Sequence, residues 1–309
     1  MTPFWKLVMR TAVIPALIIC SAGCATYAPA TEQHLSREIQ TMVAEAPVLP
    51  RGPVSHRDAV RSVSYERKGD KAMTMLIKSR GSAKEIELAD NIIDDYKNAL
   101  ILDGKSGILV HKYCQAVELK YNLLMPEGEK EAERQKAYAD TLAMLETLYP
   151  GENNAVYADY DKALFLVLNT AYSNIFQVIG VVNRVHALCE KIYKEDAGFE
   201  DHGALTALGR INLLAPNIPV FISWPDKKLS RSYLEEALKY NPDSLLVKFF
   251  LADTMYALGE KEKAAVYFME VAGRTPREDI NYFEDRKVRN ICITRMKELG
   301  IQLPDTICM

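Results

Sequence analysis

The residue types that carry acid–base, nucleophilic and metal chemistry are present in this chain, but they are scattered. The five histidines, His34, His56, His111, His186 and His202, have no neighbours at metal-ligand or triad spacing, and lone histidines of this kind are satisfied core or surface residues. No GxGxxG, P-loop or HExxH sequence occurs, and no serine lies in a GxSxG setting. Beyond Cys20 and Cys24, the cysteines Cys114, Cys189, Cys292 and Cys308 have no partner at CxxC spacing, which leaves a zinc site or thioredoxin-type motif without support. Cys292 and Cys308 could clamp the C-terminal tail to the last helix, or stand as buried small hydrophobes. The acidic pairs Asp94-Asp95 and Glu235-Glu236 read as solvated helix faces. The pattern points away from catalysis and implies no metal and no cofactor.

The chain must therefore act through its shape and surfaces, and its composition bounds what these are. With 309 residues, 49% apolar and 26% charged, it is an ordinary globular chain of one large domain or two smaller ones. A net charge of −3 and the lack of any Lys/Arg run exclude nucleic acid as a partner. Ala, Leu, Glu, Lys and Tyr dominate over β-branched runs, so the expected class is all-α.

The first 24 residues set the compartment. Lys6 and Arg10 precede the short apolar run Thr11–Ser21, which is too short to span a bilayer and reads as a secretory signal. It ends at Ser21-Ala22-Gly23-Cys24, which resembles the lipobox of a bacterial lipoprotein, with Cys24 as the acylated residue. Multiple acyl chains there would anchor firmly, at about 0.8 kcal/mol per buried CH₂. Ala25 is not an inner-membrane retention signal, so the expected location is the cell envelope, on the outer membrane and facing the periplasm. The expected organisation is a signal over 1–23, a tether over 24–57 with a helical turn around Leu35–Val43, and one α-helical domain over 58–309.

Within that domain the spacing is helical throughout. Ser82-Ala83-Lys84-Glu85 reads as a capping box before Ile86, Leu88, Ile92, Ile93, Tyr96 and Leu100. Further helices are expected over about 105–124, closed by Pro126, and over 128–148, closed by Pro150-Gly151. Ala163 to Asn183 contains no charged residue and reads as one long buried helix rather than a membrane span. Its Asn169, Thr170, Ser173, Asn174, Gln177 and Asn183 suit either the wall of an internal cavity or a set of satisfied core amides.

The clearest periodicity lies late. Pro242 and Pro276 are 34 residues apart, the tetratricopeptide period. Before Pro276, Leu251, Ala252, Tyr256, Gly259, Ala264 and Phe268 stand where paired antiparallel helices need large, small and turn residues. Before Pro242, Leu205, Leu208-Gly209, Asn212, Ser230, Leu234 and Ala237 repeat the register around an inserted Pro-rich loop, 215–226. The expected fold is an all-α array of tetratricopeptide-like helix pairs, an α-solenoid.

Leu208-Gly209-Arg210, Leu214-Ala215-Pro216, Pro219, Asp226-Lys227-Lys228, Tyr233-Leu234-Glu235-Glu236-Ala237, Asn241-Pro242, Leu251-Ala252 and Gly259-Glu260-Lys261 form one constellation. In it the chain resembles the T-component (TatT-like) family of TRAP transporters, periplasmic lipoproteins with cryptic tetratricopeptide-like helices. Pro225 stands where that family carries a glycine before Asp226. The resemblance implies a binding or scaffold protein that works with a periplasmic solute receptor, oligomerises, and has a ligand-accommodating channel or groove; the expected ligand is a small, apolar organic solute. The rival reading is an envelope scaffold that holds protein partners and no small molecule.

Candidate ligand contacts are Tyr160, Tyr172, Asn174, Phe176 and Gln177 as cavity-lining residues, which otherwise serve as core. Arg210 could meet an anionic ligand group or make a surface salt bridge. Phe221 and Trp224 could project from the 215–226 loop or fold back over the helix ends.

Overall fold

The computed structural model describes residues 54–303, apart from 104–105, 152–153, 173–174 and 216–221 and the side chains of 175 and 176. Eleven α-helices and one π-helical turn occupy these residues, with no β-strand among them. They form two compact units, 54–169 and 170–303. No helix among the described residues is long and apolar enough to cross a membrane. The signal, Cys20, Cys24 and the expected turn around Leu35–Val43 lie outside the described residues.

The N-terminal unit opens with α1 (His56–Lys78) paired on α2 (Glu85–Leu102). Ser55 caps α1 by accepting the Asp58 N–H at 3.1 Å. Gly69 lets the two helices meet: a Cβ there would lie 2.5 Å from the Tyr96 ring. The expected capping box on α2 is replaced by another arrangement. Lys84 is the N-cap and makes no side-chain cap bond, while the Glu85 carboxylate accepts the N–H of Gly81. The reason is the tight turn at Gly81, whose φ of +80° brings its own N–H to Glu85.

Helix α3 (Gly107–Glu118) runs into a π-helical turn, Leu119–Leu124, and α4 (Glu131–Leu148) and α5 (Val156–Thr170) follow. The π turn carries Lys120 inward, where its ammonium meets Asp90 at 2.6 Å and Glu133 at 2.9 Å, joining three elements. Lys162 on α5 is fully buried and donates to the carbonyls of Tyr149 and Gly151. Placed there, the cation satisfies carbonyls at and beyond the C-terminal end of α4.

The expected single helix over Ala163–Asn183 is two helices. α5 ends at Thr170 and α6 (Ile175–Glu195) starts anew. The cause is local: Asn169 turns its amide back to the Phe165 carbonyl at 2.7 Å, a side-chain bond that competes with the helical ladder at the end of α5.

The C-terminal unit continues with α7 (Phe199–Leu214), α8 (Lys227–Tyr240), α9 (Leu245–Ala257), α10 (Lys261–Gly273) and α11 (Tyr282–Glu298). α7 pairs with α8 and α9 with α10, while α9 also touches α7 and α11. This is the helix-pair array that the 34-residue period predicts. Gly209 faces Leu234 so closely that a Cβ would lie 2.5 Å from its Cγ, and Gly259 takes φ +87° in the turn between α9 and α10. Ala252, Ala264, Phe268 and Leu251 are fully buried in one core with Leu205, Leu234 and Ala237. Cys292 belongs to that core as a buried thiol donating to the Phe268 carbonyl at 3.4 Å, so it packs as a small hydrophobe; Cys308 lies outside the described residues.

Candidate functional site

On α3 and the π turn that extends it, His111, Gln115, Glu118 and Asn122 recur at spacing four, three and four, and so form one row. The row is turned inward, with Gln115, Glu118 and Asn122 buried and the His111 side chain only 13% exposed. It is hydrogen-bonded along its length. His111 Nδ1 lies 2.8 Å from Oδ1 of Asp161, a fully buried carboxylate on α5. The other nitrogen, Nε2, lies 2.9 Å from the Gln115 amide nitrogen, and the Asn122 amide donates to Glu118 at 3.4 Å. Because the Gln115 amide nitrogen only donates, Nε2 accepts and the ring proton sits on Nδ1, facing Asp161. Tyr160 meets the imidazole edge-on, with centroids 6.3 Å apart.

Cys114 is also in this cluster. Burial pushes its thiol well above the usual range, and the nearby Asp161 carboxylate adds to the effect. The thiol therefore stays protonated and is a poor nucleophile. Both ring nitrogens of His111 are thus engaged within the cluster. The π turn beside it belongs to a class of distortion that recurs at functional sites.

The sequence-predicted residues are distributed as follows. Tyr160 is buried on α5, Tyr172 is half-buried just beyond it, and Gln177 is half-buried in the first turn of α6. Phe176 lies in α6, its side chain outside the described set, and Asn174 and Phe221 are likewise outside it. Arg210 is not on the surface. It is 1% exposed, bonds Asp253 at 2.8 Å, and lies over the Phe250 ring at 4.4 Å. Arg295 takes the second Asp253 oxygen at 2.8 Å. Burial pushes the Asp253 carboxyl up, but the two guanidiniums overcome this and hold it below the ordinary range.

Trp224 folds back rather than projecting. It stacks on His186 at 4.0 Å between centroids and donates its Nε1–H to Asn183 at 2.9 Å. Two residues on, Asp226 caps α8 by accepting the Lys228 N–H at 2.7 Å, and its own N–H is held by Asn212 at 3.2 Å. The end of the 215–226 loop is thus fixed, with Pro225 accommodated just before the capping Asp226.

Three of the five histidines have specific partners that sequence spacing does not reveal: His111 with Asp161, His186 with Trp224, and His202 stacked on Tyr240 at 4.0 Å. Glu235 and Glu236 are half-buried and bonded to Arg231 and Tyr193, rather than simply solvated. The residues that sequence reading misses are those of the α3 row and Asp161. Their signal was the helical spacing of 111, 115, 118 and 122, together with Asp159, Asp161 and Lys162 at the head of an apolar run. Among the described residues no three His, Cys, Asp or Glu side chains converge as a metal ion requires. No protein-family model matches the chain, and no curated protein matches it.

Proposed function

We propose that this protein is a non-catalytic binding component of the cell envelope, lipid-anchored at Cys24 and facing the periplasm, that works beside a TRAP-type transporter. In this reading it docks the transporter's solute receptor and shelters or hands over a small organic solute, as a single copy or a homo-oligomer. The observation that carries it is the α7–α10 array, in which the Leu205–Ala265 constellation forms two packed helix pairs. The inserted loop between α7 and α8 supports it further, because Trp224 and Asp226 hold its end against a rigid scaffold. The engaged nitrogens of His111 and the protonated Cys114 thiol favour binding over catalysis.

A second reading, an envelope assembly scaffold with no small-molecule ligand, is favoured by one feature. Along α1, His56, Ala59, Val60, Val63, Ser64 and Arg67 line a surface groove of about 510 Å³, with Val60 57% exposed. Site-specific photo-crosslinking in native membranes separates the two. A crosslinker at the exposed Ser223, beside Trp224, should capture a periplasmic solute receptor, identified by mass spectrometry. Adducts with other envelope proteins from Val60, and none with a receptor from Ser223, would replace the transporter reading by the scaffold.

A further inference from the structure

The face shared by α6 and α8 in the C-terminal unit brings four rings together with two carboxylates. Along α6, Asn183, His186, Glu190 and Tyr193 recur at spacing three, four and three, so they lie on one side of the helix. At one end of this face is the His186–Trp224 stack, its indole fixed by Asn183. At the other end Tyr193 meets Tyr233 edge-on, with centroids 6.3 Å apart, and donates its hydroxyl to Glu236 at 3.0 Å. Glu190 lies between the two ends, one helical turn from His186 and one from Tyr193. All six of these rings and carboxylates are half-buried, neither sealed in the core nor fully solvated.

The carboxylates of this face, Glu190 and Glu236, hold no bonded counter-cation among the described residues, although Lys194 follows Glu190 by one turn of α6. Burial and the two carboxylates together hold the Tyr233 hydroxyl above its ordinary range, which places both charges near that ring. Burial lowers the pKa of His186 against the pull of Glu190, so the imidazole is neutral near pH 7 and supplies an aromatic surface rather than a counter-charge. Ring faces attract cations through their quadrupoles, and a neighbouring carboxylate offsets the cation's charge. Primary ammonium groups are compact and strongly hydrated, whereas alkylated ones shed water readily and match such a surface.

We propose that this face binds the alkylated ammonium group of a small organic solute, between Glu190 and the Trp224–His186 stack. The site is independent of any transporter association. Trp224 reports on it directly, because the chain's other tryptophan, Trp5, lies in the 1–23 signal that the proposed processing at Cys24 removes. The processed protein is titrated with tetramethylammonium chloride and, separately, with sodium chloride at matched ionic strength. The expected result is a saturable change in Trp224 fluorescence with the organic cation only. Glu190→Gln, which breaks no hydrogen bond among the described residues, should weaken that binding by about fivefold while circular dichroism stays unchanged. Glu236→Gln should weaken it as well, while its amide oxygen still accepts the Tyr193 hydroxyl. The proposal is overturned if tetramethylammonium acts no differently from sodium, or if Glu190→Gln binds it equally well. Tighter binding of N-acetyl-lysine methylamide than of tetramethylammonium would also overturn it, since the face would then fit a protein's lysine rather than a solute.

Discussion

Residues 54–169 and 170–303 bury their charges in different ways. In the C-terminal unit, Arg210, Asp253 and Arg295 come from α7, α9 and α11, so one ion triad ties together the helices that stack along the array. In the N-terminal unit Lys120 likewise bridges α2 and α4, but the charges with no exposure cluster. Asp159, Asp161 and Lys162 occupy one turn of α5 with no exposure at all, opposite the polar row of α3. The first arrangement repeats a packing rule, with small residues at close approaches and a charge pair bridging the layers. The second is a one-off network, whose members each depend on a partner from another element. The triad serves architecture, and the clustered network has the form of a site.

The largest expected effect comes from breaking the triad. Asp253→Ala leaves two guanidiniums facing each other, one of them fully buried, and should lower the stability of the C-terminal unit by about 3–5 kcal/mol. Hydrogen exchange across α7, α9 and α11 would report it as accelerated exchange. The triad also sets an acid response. Because the folded carboxyl of Asp253 titrates below its ordinary 3.8, its contribution is complete above pH 3.8 and is lost as pH falls through the lower folded value.

Next in size is Asp161→Ala, which removes the acceptor of the His111 Nδ1–H and should cost about 2–3 kcal/mol. If it cost nothing, the α3 row would not be the tightly coupled network that the comparison makes it. The Glu133 carboxyl, held by Lys120 and Tyr121 at about 2, gives this unit its own pH window. It is partly exposed, so screening keeps its contribution small; that contribution is present above pH 4.5 and fades as pH falls toward 2.

Legibility follows the same division. Pro242, Pro276, Ala252, Ala264 and Gly259 announce the C-terminal helix pairs because repeat packing writes one rule twice at a fixed spacing. The all-α class is equally visible in the periodicity of each segment. The α3 row is visible only as a polar helix face, and such a face reads as solvated until Asp161, 50 residues further on, is known to pack against it. The break after Thr170 escapes a periodicity argument because the apolar pattern runs straight through it. What breaks the helix there is side-chain competition by Asn169. Trp224 is legible as a loop aromatic, but its stacking on His186 depends on the helix 38 residues upstream.

Two glycines sharpen the contrast between close approach and open surface. Gly209→Val should destabilise the C-terminal unit by about 2 kcal/mol, because its side chain would overlap Leu234. Gly180→Ala, in an exposed turn of α6 with nothing within 4 Å of the new methyl, should instead stabilise by up to about 1 kcal/mol. Paired thermal melts of the two variants check both signs. The smallest effect is a pH response of His186. Its folded pKa lies below 6.5, so the unfolded chain binds the proton more tightly and stability falls as pH drops from 6.5 toward the folded value. His186→Gln should flatten that slope.

The proposal that this is a binding protein with a small organic solute is tested most directly by native mass spectrometry of protein gently purified from the periplasm with the Cys24 anchor removed. The account predicts a discrete species, monomer or oligomer, that carries a reproducible extra mass assignable to a small organic molecule. A species at the bare polypeptide mass, with only protein partners recovered alongside it, would contradict the claim.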